Sequence, residues 1–200
     1  FDDGYMDNYE YALPILKKYN VPATFYICTR FINGESWTWW YDLWEFIKTE
    51  NKIKLNNKYY YGEVDLVGYN KKIKAFNYFS NLFKKLPYAD QLELFRSFNN
   101  NFKQNSNPGL FMTWDILKKM SLNKLVTIGA HTENHISLSS VSIEESKKEI
   151  LNSKIKLENE LKKDIKHFAF PFGDKSDFTK RETKFLQSVG FNSAVTTIPI

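Results

Sequence analysis

Two of the three histidines, His131 and His135, stand four positions apart in His131-Thr132-Glu133-Asn134-His135, directly after the apolar run Leu125-Val126-Thr127-Ile128-Gly129-Ala130. A strand that ends on two imidazoles delivers two neutral nitrogen ligands into one space, an arrangement that divalent zinc favours. Two ligands do not complete a site, so a third must come from a distant part of the chain. The other concentrated feature is Phe1-Asp2-Asp3-Gly4, with two adjacent carboxylates. Two imidazoles and one carboxylate would leave a tetrahedral ion one open position, the pattern of a catalytic rather than a structural site. Taken alone, Asp2-Asp3-Gly4 reads as a turn, because Asp and Gly favour turn conformations. His131 and His135 alone read equally well as core or surface histidines. A zinc peptidase of the HExxH type would need Glu directly after the first histidine, where Thr132 stands.

The elements that must position these residues alternate along the chain. Ala12, Ile15, Leu16 and Tyr19 fall at helical spacing, with Pro14 expected to start or kink the helix. Ala23 to Cys28 reads as a buried strand. After residue 110, Thr113 caps a short helix with Leu117 and Met120 inward, and a strand runs to His131. The capping box Ser142-Ile143-Glu144-Glu145 opens a long helix with Ile143, Ile150, Ile155 and Leu161 as its buried face. A strand His167 to Phe170, the turn Pro171-Phe172-Gly173, a helix near Thr179 to Ser188 and a strand Ser193 to Thr197 complete the order. Strands alternating with helices imply a parallel sheet with covered faces. Asp2-Asp3, His131 to His135 and Pro171-Phe172-Gly173 would all lie at C-terminal strand ends, the edge that carries chemistry in β/α barrels.

Residues 31–110 have another texture, that of a mostly helical, aromatic-rich insertion within a single domain spanning residues 1–200. Trp40, Leu43, Trp44 and Ile47 mark one helix; Ile73, Phe76, Phe79, Leu82, Phe83 and Leu86 a second, stopped at Pro87; and Ala89, Leu92 and Phe95 a third. Lys52 to Leu55 and Lys58 to Tyr61, joined by Asn56-Asn57, suit a hairpin, and the polar run Asn99 to Gly109 suits a loop. The net charge of +5 is spread over lysines mixed with glutamates, and no nucleic-acid-binding motif accompanies it, so nucleic acid is not an expected partner. No stretch has the roughly 18 to 20 apolar residues of a transmembrane segment. Cys28 stands alone, which excludes a disulfide frame and a Cys-based zinc site and leaves the compartment open. The chain opens in mid-motif, so a segment upstream of Phe1 is expected.

Phe-Asp-Asp-Gly at 1–4, His-Thr-Glu-Asn-His at 131–135 and Phe-Ala-Phe-Pro-Phe-Gly at 168–173 together resemble the polysaccharide deacetylases, which share the NodB homology domain. Val21-Pro22-Ala23-Thr24-Phe25 and Ala194-Val195-Thr196-Thr197 add to the resemblance, which is good over residues 1–30 and 111–197 and weak between them. It implies an α/β fold, a distorted (β/α) barrel of the NodB type incomplete at both ends. The implied activity is hydrolysis of an N-acetyl group, in some members an O-acetyl group, on an acetylated glycan. The resemblance makes Asp3, His131 and His135 the ligands of a divalent metal, zinc above others, and Asp2 the general base. The turn Pro171-Phe172 would meet substrate, with the Phe172 amide at the oxyanion.

Among the tryptophans, Trp40 and Trp44 lie on the apolar helix stripe, which leaves Trp37 and Trp39 as the candidates for stacking on a sugar. A cell-envelope or extracytoplasmic location follows from the resemblance alone, with the cytoplasm as the alternative. The sequence departs from the family in one motif: the arginine common in the third is Ala169 here, and Asp174 is the nearest acidic residue after the turn. The later aspartate-tryptophan and leucine-x-histidine motifs are not recognisable before Ile200: either they lie beyond it or this chain belongs to a subgroup that does without them. These departures keep two rivals open, a non-catalytic carbohydrate-binding relative and an amidase acting on a non-sugar substrate in the same fold.

Overall fold

The computed structural model describes residues 1–35, 37–98 and 109–199. In chain order, a π-helical turn at Asn8–Ala12 leads into α1 (Leu13–Tyr19), followed by β1 (Ala23–Ile27) and a single turn, α2 (Thr29–Ile32). Next come α3 (Trp39–Thr49), β2 (Lys52–Asn56), β3 (Tyr61–Asp65), α4 (Tyr69–Lys84) and α5 (Tyr88–Phe98). Then follow α6 (Trp114–Ser121), β4 (Val126–Ala130), α7 (Ile143–Leu161), β5 (His167–Ala169), α8 (Lys180–Ser188) and β6 (Ser193–Val195). The chain divides into two compact units, Phe1–Ser36 with Ser106–Ile200, and Trp37–Asn105.

The first unit is built on an all-parallel sheet in the order β1-β4-β5-β6, which among the described residues is open rather than closed into a barrel. Its register sets Ile27 beside Ala130, Ala130 beside Phe168, and Ala169 beside Val195. Burial deepens toward the C-terminal ends of β1 and β4, where Ile27 and Ala130 are fully enclosed. Gly129 sits where β4 and β5 press together under Tyr26. A Cβ there would stand 2.5 Å from the Tyr26 ring and 2.8 Å from the His167 carbonyl oxygen.

Helix ends follow the side chains that cap them. Thr113 accepts from the Ile116 amide at 3.4 Å and Ser142 from the Glu145 amide at 3.1 Å. The reciprocal capping box lies instead at Thr179, whose amide donates to Glu182 at the start of α8. Two expected buried faces need correction. Ile15 and Tyr19 are exposed, because the π-helical turn, closed by the Leu13 amide on the Asn8 carbonyl, adds a residue and rotates everything after it. On α7 the stripe is Ser146, Glu149, Ile150, Ser153, Leu157 and Leu161, whereas Ile155 faces solvent. Five residues beyond Ile150 is about 140° around the helix; seven brings Leu157 back to the core.

The second unit packs α3, α4 and α5 with the antiparallel hairpin β2–β3, whose strands run Lys52–Asn56 and Tyr61–Asp65, longer and later than the sequence spacing suggests. Trp37 and Trp39 belong to its core, at 2% and 4% exposure. Trp37 stands edge-on to Phe95 at 4.8 Å and Trp39 stacks on Phe83 at 5.2 Å. Their rings are covered by phenyl groups, so neither offers a face to a sugar; the half-buried rings are Trp40 and Trp44. Of the polar run expected as a loop, only Gly109 lies within the described residues, in a turn.

The crowding at Gly129 yields the first prediction. Gly129→Ala should cost about 1–3 kcal/mol of stability, as overpacking against a ring and a main-chain oxygen does. Denaturant unfolding measures it, and an unchanged midpoint would contradict the packing.

Candidate metal centre

Phe1 runs alongside β1, its carbonyl accepting from the Tyr26 amide at 2.8 Å and its ring stacked on Phe25 at 4.9 Å. The chain then turns sharply: the Gly4 amide donates to the Asp2 carbonyl at 2.9 Å, and Asp3 takes a left-handed φ of 73°. Gly4 follows at φ 91°, where a Cβ would stand 2.8 Å from Ile32. This turn points Asp3 inward and leaves Asp2 exposed.

The His131 amide donates to the Ile27 carbonyl at 3.0 Å, which puts the histidine segment at the C-terminal edge shared by β1 and β4. Thr132 and His135 adopt left-handed φ values of 64° and 56°, and the Thr132 hydroxyl accepts from the His135 amide at 3.0 Å. His131 Nδ1 lies 2.8 Å from the Ala169 carbonyl oxygen, which can only accept. The proton is therefore on Nδ1, and Nε2 keeps its lone pair.

The three side chains meet. Asp3 Oδ1 is 3.3 Å from His131 Nε2 and 3.2 Å from His135 Nε2, and one ligand atom from each residue lies within 4.8 Å of the others. Asp3 Oδ1 is buried without a hydrogen bond of good geometry, although two imidazole nitrogens approach it. A carboxylate oxygen and two imidazole nitrogens so arranged fit a divalent cation, both in donor type and in leaving that oxygen for it. Asp3, His131 and His135 could therefore hold a metal.

Electrostatics follow from burial and from this neighbourhood. Burial would raise the Asp3 carboxyl, but the charges of His135 and His131 outweigh it and hold the group below the usual aspartate range. Burial likewise pulls His131 down, and Asp3 overcomes it, so this imidazole is lifted above its ordinary 6.5. In His135 burial wins, and its pKa is pushed down to about 4. The charge of Asp2 reaches both rings.

The third segment closes the edge. Pro171 is buried, Phe172 has φ 62°, and the Phe172 ring stands edge-on to His135 at 4.7 Å. Thr197 donates from its hydroxyl to the Phe172 carbonyl at 2.8 Å. Asp174 is exposed and caps its own turn, accepting from the Lys175 amide at 2.7 Å. His167 accepts or donates at Nδ1 to Ser193 at 2.8 Å, away from the cluster. Residues brought to one edge are thus Asp2, Asp3, His131, His135, Pro171 and Phe172; Trp37 and Trp39 lie in the second unit's core.

Several supporting residues escape a reading of the sequence. The Thr29 and Arg30 amides donate to the Thr132 and Glu133 carbonyls, and Arg30 Nη1 donates to Asn134 at 3.0 Å. Asp177, 2% exposed, accepts from the Ser137 hydroxyl and from the Asp174 amide, tying the two rim segments together. Glu149 accepts from the Glu133 and Asn134 amides at 3.0 and 2.8 Å. Burial raises its pKa to about 7. The one available signal was a charged residue on the buried stripe of α7.

A parallel α/β sheet with a three-donor cluster at the C-terminal edge of its strands defines the class of protein. The family model described as "Polysaccharide deacetylase" matches residues 1–191, and the chain belongs to that family. Its solved neighbours have the same fold. The BpsB deacetylase domain from Bordetella bronchiseptica is 18% identical with a TM-score of 0.59, over 100% of this chain and 63% of that one. The Streptococcus pyogenes deacetylase PplD, in complex with acetate, is 18% identical with a TM-score of 0.57, over 98% and 54%. IcaB from Ammonifex degensii is 16% identical with a TM-score of 0.54, over 98% and 57%. The chain thus spans between 54% and 63% of the length of these three structures. No curated protein matches the sequence.

Two outcomes test the cluster. Asp3→Ala or His135→Ala should abolish stoichiometric zinc uptake, measured by elemental analysis of the folded protein. Zinc affinity should also fall as pH drops from about 8 to about 6. The sign follows from His131: its pKa is raised, so acidification places a proton on Nε2, the atom the metal needs. Zinc binding that is flat across that range would contradict the assignment.

Proposed function

We propose that this chain is the catalytic part of a metal-dependent deacetylase that hydrolyses N-acetyl groups of a glycan, with zinc as the ion. The observation that carries the reading is the meeting of Asp3 Oδ1 with the two imidazole Nε2 atoms, 3.2 and 3.3 Å away, from segments about 130 residues apart. Family membership, which is a statement about the chain as a whole, supports the substrate class. Solved neighbours described as deacetylases support it at the level of fold.

Asp3, His131 and His135 would hold a divalent ion, which would supply Lewis acidity toward an acyl oxygen and toward water. Asp2, exposed at the same edge, takes the proton from the attacking water as general base. The Phe172 amide stabilises the oxyanion of the tetrahedral intermediate. The Ala169 carbonyl keeps the proton of His131 on Nδ1, so that Nε2 remains a donor throughout. A cell-envelope setting follows from the substrate class.

The assignment predicts a separation of functions. Asp2→Asn should retain the parent's zinc content and lose roughly 10²–10⁴-fold in acetate release from acetylated chito-oligosaccharides, the range expected for a general base. Acetate release at the parent rate would remove Asp2 from that role. Ala169, standing where an arginine is common in the family, motivates the rival of a carbohydrate-binding relative without catalysis. Oligosaccharide binding by zinc-loaded parent protein with no acetate released would favour that rival.

A further inference from the structure

The group that organises the histidine segment is not on the segment. Glu149 projects from the middle of α7 and is 6% exposed. Its Oε2 accepts from two consecutive main-chain amides, those of Glu133 and Asn134, at 3.0 and 2.8 Å. Its Oε1 accepts from Asn134 Nδ2 at 2.6 Å, and Asn134 Oδ1 accepts in turn from Arg30 Nη1 at 3.0 Å. The amides so held lie between the two imidazoles in sequence. An apolar side chain on this stripe would have avoided the desolvation of a carboxylate, but it would have left both amides unpaired. The left-handed Thr132 just before them makes the segment one that needs an outside constraint.

We propose that Glu149 is a positioning residue of the metal centre: by fixing the Glu133 and Asn134 amides it sets the distance and orientation of the His131 and His135 donors before an ion binds. The inference rests on the reading of the site as a metal centre and adds the residue that tunes its affinity. A carboxylate that merely held α7 against the sheet would act on folding alone. A positioning carboxylate changes the affinity of the folded protein for the ion, by about 10–100-fold where such outer partners have been removed.

Polarity supplies the discriminating variant. In Glu149→Gln the new carbonyl can still accept from the two main-chain amides, but its NH₂ then meets Asn134 Nδ2, donor against donor. Turning Asn134 over would relieve this only by losing the bond from Arg30. Adding Asn134→Asp reverses the pair: the NH₂ donates to a carboxylate whose other oxygen still accepts from Arg30, at unchanged net charge.

The experiment titrates the metal-free proteins with zinc against a chromophoric chelator and records their thermal unfolding in parallel. Glu149→Gln should lose about 10–100-fold in zinc affinity, and Glu149→Gln/Asn134→Asp should recover most of it. Equal affinity in parent and folded Glu149→Gln, or an equal loss in the single and double variants, would overturn the proposal. If Glu149→Gln does not fold, Glu149→Asp carries the test, since it keeps the carboxylate but draws it back by one methylene from the two amides. A smaller loss of affinity there supports the proposal, and none overturns it. A parent that takes up no zinc would overturn the metal reading and this inference together. A parent that binds zinc but releases no acetate would sink only the deacetylase reading.

Discussion

A negative charge withdrawn from water governs what surrounds it here. The Asp3 side chain is 14% exposed, and the oxygen facing inward has two imidazole nitrogens for company rather than solvent or main-chain donors. Burying an ionised carboxylate is costly unless another charge or a set of donors answers it. Two answers are available at this spot. A proton on His131 Nε2 can neutralise Asp3, and the raised pKa of that ring reflects it. A divalent cation can do so better, because it engages all three donors at once. Proton and cation would compete for the same lone pair on His131 Nε2, so acid would oppose an ion at this cluster.

Keeping three donors so close requires backbone that an ordinary chain avoids. Six described residues other than glycine have left-handed φ, and four of them, Asp3, Thr132, His135 and Phe172, are in the site. The other two, Asn20 and Lys162, terminate helices, where that conformation is common. Each of the four costs of order 1 kcal/mol or more and persists because its neighbours over-determine it. Phe1 against β1 holds Asp3, the Thr132 hydroxyl holds His135, Glu149 holds the segment between the histidines, and Thr197 holds Phe172. The braces come from β1, α2, α7 and the segment after β6, so the whole sheet unit restrains the site.

How much of this the sequence discloses depends on whether a residue acts through its side-chain chemistry or through its surroundings. The cluster was legible because two motifs that are ambiguous alone, the paired aspartates at the start of the chain and the paired histidines after β4, fall together with the turn after β5 in one strand–helix alternation. Trp37 and Trp39 were misread because an indole's chemistry is the same in a core as on a surface. Only the three-dimensional company of Phe83 and Phe95 separates the two. The phase of α7 failed at Ile155 because a polar stripe of Ser146, Glu149 and Ser153 faces inward, against the usual pattern. On α1 a single π-helical turn displaced the stripe, and no residue type announces such a turn beyond Pro14 itself. A charge on the inward stripe could single out Glu149 but not its role, because its partners are main-chain amides, which every sequence contains.

Ala169 shows the same division within the site. At this position the chain contributes a carbonyl oxygen to His131 and a methyl group, 2% exposed, to the core. Any residue would supply that carbonyl, so a departure from arginine at 169 does not touch the bond that leaves His131 Nε2 free to donate. In the proposed mechanism the buried, cross-braced Asp3, His131 and His135 would hold the ion, and the exposed Asp2, its main chain fixed through the Gly4 amide, would take the proton. The two tasks would then fall to separable parts of the fold, one buried and braced, the other a single solvent-facing carboxylate.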